Sequence, residues 1–350
     1  MKVDVHAHCY PQPYVKELEK LGIAGEGGVG VKIPVWNSAE ERIAAMDKLG
    51  IDVQVLNLSA PNVYFPDHGL SKALAQMTND FLADIVRQHP DRFLSVASIP
   101  LANLDDAMAE LSRAMNELKM DGIMLGTNIN QRPLSDDFFL PFLEEVDRRK
   151  VPVVLHPIRS AIEDLMPKED LLLGIPTSVG FLFETTRTIA QMTFKGTFER
   201  FPNLTFILPH SGGAIPFLAP RWDIFYRSRP DAHPLKKLPQ PPGHYLRRQY
   251  YDIALSYAHS SLRCTLGVVG VDHMVFGTDF PYTNDFRALE TIRSIEDYQD
   301  LADDEKEKIF FRNAGVLFPR VQERRSLSYE EILSNVGDGL FSRRIPLFIF

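Results

Sequence analysis

Val3-Asp4-Val5-His6-Ala7-His8 alternates apolar and polar side chains over six positions. Alternation at period two marks a strand whose two faces meet different surroundings. In an extended segment Val3, Val5 and Ala7 point one way, and Asp4, His6 and His8 point the other. Imidazoles two residues apart on one face are separated by ~7 Å, because each residue advances ~3.3 Å. Both can then reach a single metal ion. Taken alone, a His-x-His near a terminus reads more readily as two solvated histidines. Its meaning depends on what the rest of the chain sets beside it.

The same kind of ending recurs. Pro152-Val153-Val154-Leu155-His156 and Phe206-Ile207-Leu208-Pro209-His210 run from apolar β-formers into histidine, and Val275-Phe276-Gly277-Thr278-Asp279 runs into aspartate. Strands are predicted at 2–8, 53–58, 93–99, 122–125, 152–156, 204–209, 249–254 and 274–278, with helical patterns between them. In 104–118, for example, Leu104, Met108, Leu111, Met115 and Leu118 recur at spacings of four and three. Asn103 is placed to cap that helix, and Asp105 and Asp106 sit in its first turn, where the dipole favours negative charge. Alternating strands and helices imply an α/β fold with a parallel sheet. Eight such units suggest a (β/α)8 TIM barrel, a single domain with long loops at the C-terminal face. An open doubly wound sheet is the competing topology.

Three connections are long. Residues 21–36 hold Gly22, Gly25, Gly27, Gly28 and Gly30, while 157–178 and 228–244 are rich in proline. Long loops in a compact barrel serve as lids or caps. The glycine run neither follows a strand directly nor opens a helix, so a flexible lid fits it better than a phosphate cradle.

The 350 residues carry 38 Lys and Arg against 46 Asp and Glu, a formal charge of −8, which argues against a nucleic-acid partner. No apolar run approaches the ~18 residues of a membrane span. Residues 1–6 give no secretory leader, and the two cysteines, Cys9 and Cys264, build no disulfide framework. A cytoplasmic protein with no membrane partner is expected.

Catalytic groups in barrels sit at the C-terminal ends of several strands. His6, His8, His156, His210 and Asp279 all occupy such positions. Three imidazoles and one carboxylate suit zinc or another borderline divalent ion, with a position left open for water.

With those residues in place, the sequence resembles the amidohydrolase superfamily, and within it the branch related to aminocarboxymuconate-semialdehyde decarboxylase. Beyond His6-Ala7-His8, the resemblance is carried by residues 42–52, by Gly196-Thr197-Phe198-Glu199-Arg200-Phe201-Pro202, by Pro209-His210-Ser211-Gly212-Gly213 and by Gly277-Thr278-Asp279-Phe280-Pro281. It reaches Asn313-Ala314-Gly315-Val316-Leu317-Phe318, nearly the whole barrel. A barrel over 1–320 and an extension over 321–350 are expected. The extension holds a capping box at Ser328 and Glu331 and an apolar end suited to docking on the barrel or on a second subunit.

The resemblance implies that His6, His8, His156 and Asp279 bind one catalytic divalent metal, and that His210 is the general acid/base. Asp279 is expected to relay protons as well. Retention of His6 favours the zinc version, with manganese the alternative, and His156 stands where a carboxylated lysine would otherwise be expected. Arg42 matches a substrate-carboxylate arginine. Glu184 is placed to orient a metal ligand, and with Phe183 and Tyr282 is expected around the substrate. Tyr250, Tyr251 and Asp252 are further candidates for the pocket. Cys9 should face away from the histidines, while His68, His89, His233, His244, His259 and His273 read as solvated; of these, His259 has the best claim to touch substrate. A homodimer acting on a small carboxylic acid is the family expectation.

Two activities fit the site. One is non-oxidative decarboxylation of a small aromatic or dienoic carboxylic acid. The other is hydrolysis or hydration of an amide, a lactone or an activated C–C bond by the same metal. A non-catalytic metal scaffold would require His210 to have no role.

Overall fold

Each of the eight apolar runs forms a strand: β1 (Val3–His8), β2 (Val53–Asn57), β3 (Phe93–Ser98), β4 (Gly122–Gly126), β5 (Val153–His156), β6 (Phe206–Leu208), β7 (Tyr250–Asp252) and β8 (Met274–Val275). They pair in that order, all in parallel. Ala7 then bridges to Phe280, and the Val5 amide donates to the Phe276 carbonyl at 3.0 Å. The ring is closed, so the open sheet is excluded. The computed structural model describes residues 1–23, 38–159 and 167–322. The glycine run expected as a lid and the Ser328–Glu331 cap with the apolar tail lie outside the described residues.

The longer helices are α1 (Gln12–Lys20), α2 (Ala39–Leu49), α3 (His68–Gln88), α4 (Leu104–Asn116), α5 (Leu140–Arg149), α6 (Phe181–Phe194), α7 (Ile215–Arg227), α8 (His259–Val269) and α9 (Asp285–Glu296). Their starts follow local chemistry: the Asn103 side chain accepts from the Asp106 amide at 3.0 Å, and Ser38 and Asp67 cap α2 and α3 in the same way. No helix among the described residues is long and apolar enough to cross a membrane.

Alternate residues of the strands meet inside the ring. Val3, Val5, Val53, Val55, Leu94, Val96, Met124, Val154, Ile207 and Val275 form one cluster, which Phe311, Leu317, Phe318 and Val321 join. Only the inside of a barrel brings residues from every strand together. Each such side chain stabilises the fold by about 1.5–3 kcal/mol when fully buried. Inward-facing polar residues are therefore pushed to the C-terminal ends, at Asn57, His156, Asp252 and Asp279.

One expectation about β1 needs correcting. Val3 and Val5 share the inner cluster, yet His6 and His8 also point inward, so the faces do not simply alternate. Between Asp4 and Ala7 the strand spends one residue more than β2 spends between Gln54 and Leu56. This β-bulge flips the phase, as an extra residue must. Asp4 therefore faces outward, away from the histidines. Its carboxylate accepts from the His6 amide at 3.1 Å, which the bulge leaves unpaired, and from the Thr278 amide at 3.0 Å, the Thr278 hydroxyl at 2.6 Å and Gln54 Nε2 at 3.0 Å. Burial pushes the Asp4 carboxyl up to about 6 against these four donors. Asp4 thus ties the ends of β1 and β8 together.

Candidate metal centre

His6, His8, His156 and Asp279 converge at the C-terminal mouth of the barrel, each offering one ligand atom, with these atoms within 4.8 Å of one another. His6 Nε2 lies 3.1 Å from His8 Nε2 and 3.3 Å from Asp279 Oδ1, and His8 Nε2 lies 2.9 Å from the same oxygen. All four side chains are buried.

The outer nitrogens settle which inner atoms carry lone pairs. His156 Nδ1 is 2.9 Å from the Pro157 carbonyl, which can only accept, so Nδ1 holds the proton. His8 Nδ1 is 2.6 Å from Asn57 Oδ1, and His6 Nδ1 is 2.8 Å from Asp252 Oδ2. In each ring Nδ1 holds a proton, and Nε2 is the nitrogen turned toward the centre. Once His6 has given up its second proton, three imidazole nitrogens and a carboxylate face one small volume, where a cation can replace that proton. The donor set fits one divalent ion, for which bonds of ~2.0–2.2 Å are usual.

The electrostatics point the same way. Burial lowers the pKa of His8, and burial together with neighbouring His8 and His6 holds His156 well below the usual imidazole value. Burial also opposes charge on His6, but Asp252 and Asp279 on either side outweigh it and hold its pKa well up. Burial would raise Asp279, yet the imidazoles of His210, His6 and His8 keep it ionised. The cluster keeps its anions charged and therefore favours positive charge at its centre.

His210 stands beside this cluster. It follows Pro209 in a turn where His210 and Ser211 both adopt left-handed backbone, φ 54° and 56°. Its amide donates to Asp252 Oδ1 at 2.9 Å, and its Nε2 is 3.9 Å from Asp279 Oδ2. The turn rests directly on α6, since a Cβ on Gly213 would lie 2.3 Å from the Leu182 carbonyl oxygen. Strain of this kind persists only where surrounding structure over-determines it. Its effect is to aim the His210 ring into a cavity of about 830 Å³ bounded also by His156, Asp279, Tyr282 and Phe181. His210 Nδ1 is buried without a hydrogen-bond partner among the described residues.

Several expected neighbours lie elsewhere. Arg42 does not line the cavity: its buried guanidinium donates to the His8 carbonyl and to Gln54 Oε1 at 3.1 Å. It braces the bulged strand from behind, because α2 packs on the outside of the ring. Phe183 is 55% exposed, as the turn of α6 directs Phe181 and Leu182 to the cavity instead. Glu184 is buried but pairs with Arg187 at 2.7 Å, one helical turn along, and reaches none of the four ligands. Tyr282 does line the cavity, edge-on to His8 with ring centroids 5.4 Å apart, and its hydroxyl is 2.6 Å from that of Tyr10. Tyr250 and Tyr251 do not line it. Cys9 is buried in the outer core, away from the histidines as expected. His259 is at the surface against Tyr298 and does not line the cavity.

Asn57, Asp252 and Ser59, whose hydroxyl lies 3.2 Å from His156 Nε2, escaped sequence reasoning as partners of the ligands. Each lies at or just beyond the C-terminal end of a strand, and inward phase at β2 and β7 was the available signal. Asp252 joins a ligand to the turn that carries His210. One of its oxygens takes His6 Nδ1, while the other takes the amides of His210 and Ala254. Asp252→Asn is expected to weaken metal binding about 10–100-fold, as read by competition with a fluorescent chelator. Unchanged affinity would show that His6 needs no such partner.

Three comparisons bear on this centre. The amidohydrolase family model matches residues 3–320. The 2-amino-3-carboxymuconate-6-semialdehyde decarboxylase of Dictyostelium discoideum is 28% identical over 336 residues, covering 90% of each chain. Decarboxylase yanB of Aspergillus niger is 31% identical, covering 92% of this chain and 88% of its own. The crystal structure of the 5-carboxyvanillate decarboxylase LigW from Sphingomonas paucimobilis superposes with a TM-score of 0.79 at 25% identity, over 91% of this chain and 98% of that one. The closed eight-stranded ring, the histidines at its mouth and a family match over most of the length agree: the chain belongs to the amidohydrolase family.

Proposed function

We propose that the protein is a metal-dependent carboxy-lyase that removes CO2, without redox chemistry, from a small aromatic or dienoic carboxylic acid. One observation carries this reading: four buried ligand atoms converge on one point of a cavity wall, and a strained histidine stands beside them. The decarboxylases among the relatives support it. His6, His8, His156 and Asp279 would hold the ion, and a nitrogen-rich set with one carboxylate favours zinc over manganese. When bound, the metal supplies Lewis-acid polarisation of a substrate oxygen and charge stabilisation next to the scissile bond.

The chain's own groups do the rest. His210 delivers a proton from its ring to the carbon that bears the carboxylate. The C–C bond then breaks, CO2 leaves, and the electron pair of that bond restores the conjugated system. His210 recovers its proton from solvent through the mouth of the cavity. Asp279 keeps a carboxylate oxygen 3.9 Å from His210 Nε2, beside the ring that delivers the proton. Tyr282 and Phe181 bound the planar space and exclude water on that side.

The test is CO2 release by zinc- and manganese-reconstituted protein across hydroxybenzoates, methylsalicylates and muconate semialdehydes, with chelator-stripped protein as control. Metal-dependent release is expected. Silence across the panel with metal bound, and turnover of a lactone or amide instead, would overturn the reading in favour of hydrolysis.

A homodimer belongs to the same proposal. Along α7, Phe217, Ile224 and Phe225 are exposed at spacings of seven and one, a stripe that a second copy would cover. The protein is expected to elute at twice the 39.7 kDa chain mass, and Ile224→Lys to shift it toward monomer by light scattering. A monomeric wild type would contradict this. Neither described cysteine is in a disulfide, which suits a reducing cytoplasmic compartment.

A further inference from the structure

The cavity is polarised. At the inner pole the lining is buried, with His156, His210 and Asp279; at the outer pole it is open to solvent, where α8 and the start of α9 contribute the exposed Ser261 and Arg287. Arg287 is the only lysine or arginine among the described lining residues. Its placement is not explained by the helix that carries it. It lies in the first turn of α9, behind the Asn284 cap, where the helix dipole disfavours a cation. Nearby acids are committed elsewhere: Asp285 pairs with Lys48, and Glu290 pairs with Arg293 at 3.1 Å. The Arg287 guanidinium has no hydrogen bond or ion pair among the described residues.

Tyr257 also lines the cavity. Burial raises its phenol above the ordinary value, against the charge of Arg287 and with those of Asp279 and Glu290. Leu255, close to it in the lining, holds a left-handed backbone at φ 59°. Its neighbour Ser256 pairs its hydroxyl with Ser211 at 2.7 Å. This loop after β7 is thus fixed to the turn that carries His210.

We propose that Arg287 is the specificity residue at the outer pole of the cavity, and that the acid it selects carries a second carboxylate, remote from the one that is lost. This rests on the decarboxylase reading for the inner pole alone. An unpaired guanidinium opposite an inner pole that takes the reacting carboxylate is matched by a dianionic substrate.

The test is calorimetric binding to the full-length, manganese-loaded protein, with salicylate as the monoacid probe and 4-hydroxyisophthalate and 2-hydroxyterephthalate as diacid probes. The wild type is expected to bind at least one diacid 10-fold or more tighter than salicylate, and Arg287→Gln to bring that ratio close to one. A charge-assisted hydrogen bond corresponds to about 10- to 100-fold in affinity. Arg287→Lys should keep part of the preference, and equal metal content and Tm in all three proteins would exclude misfolding. A wild type without diacid preference, or a preference that survives in Arg287→Gln, would overturn the proposal. The decarboxylase reading fails separately: a diacid bound through Arg287 that releases no CO2 would contradict that reading and leave Arg287 in its role.

Discussion

Replacing His210 with asparagine is expected to lower kcat by about 10²–10⁴-fold, the usual contribution of a positioned general acid or base. Metal content should be unchanged, because His210 is not one of the four convergent ligands and its nitrogen stays 3.9 Å from Asp279. Asparagine also tolerates the left-handed backbone that His210 adopts at φ 54°, so the turn should keep its shape. The Asp252 bond should persist as well, since it uses the backbone amide of residue 210. KM is expected to change little, since the lost interaction belongs to the transition state. Atomic absorption on the purified variant, beside its kcat, checks both halves. Full activity with intact metal would remove His210 from the mechanism.

Asp279→Ala is expected to abolish turnover by a different route. It removes the only anion among the four ligand atoms and leaves three neutral imidazoles to hold a dication. Metal affinity should fall by more than the ~10–100-fold typical of losing a group behind a ligand. Metal added to the wild type at a hundredfold excess over Kd should stabilise it by about 2.7 kcal/mol, several degrees in Tm. In Asp279→Ala that rise should disappear. The effect is pH-dependent. His6, whose pKa is held well above the usual imidazole value, must give up a proton to take an ion, so wild-type affinity should drop as pH falls through that raised pKa, starting above the usual imidazole range. Thermal scans with and without metal at several pH values check both points. A variant that still shows the metal-dependent rise would mean that Asp279 is no ligand.

Strand content and ring order were legible because apolar β-formers end in polar residues at the same point of each unit, a pattern with a physical cause. The packed inner layers leave polar side chains room only at one end. That rule brought His6, His8, His156, His210 and Asp279 to one end of the barrel, and the family resemblance singled out the four that converge. Local phase was not legible. His6 and His8 face inward because of a bulge that no periodicity announces, and Asp4 was assigned to the wrong face for the same reason. Arg42 and Glu184 went astray because a charged residue near a site in sequence can be spent on a backbone carbonyl or on a helical neighbour. Asp252 was visible as a candidate for the pocket, not as a partner of a metal ligand. Its grip on His6 Nδ1 depends on three-dimensional packing across the ring.

The most direct measurement is turnover in D2O of the panel acid that releases CO2, followed by NMR of the product. Proton delivery by His210 to the carbon that loses its carboxylate predicts one deuterium at that carbon for each CO2 released, in the metal-loaded enzyme only. A product that keeps its carboxylate and gains the elements of water would contradict the account.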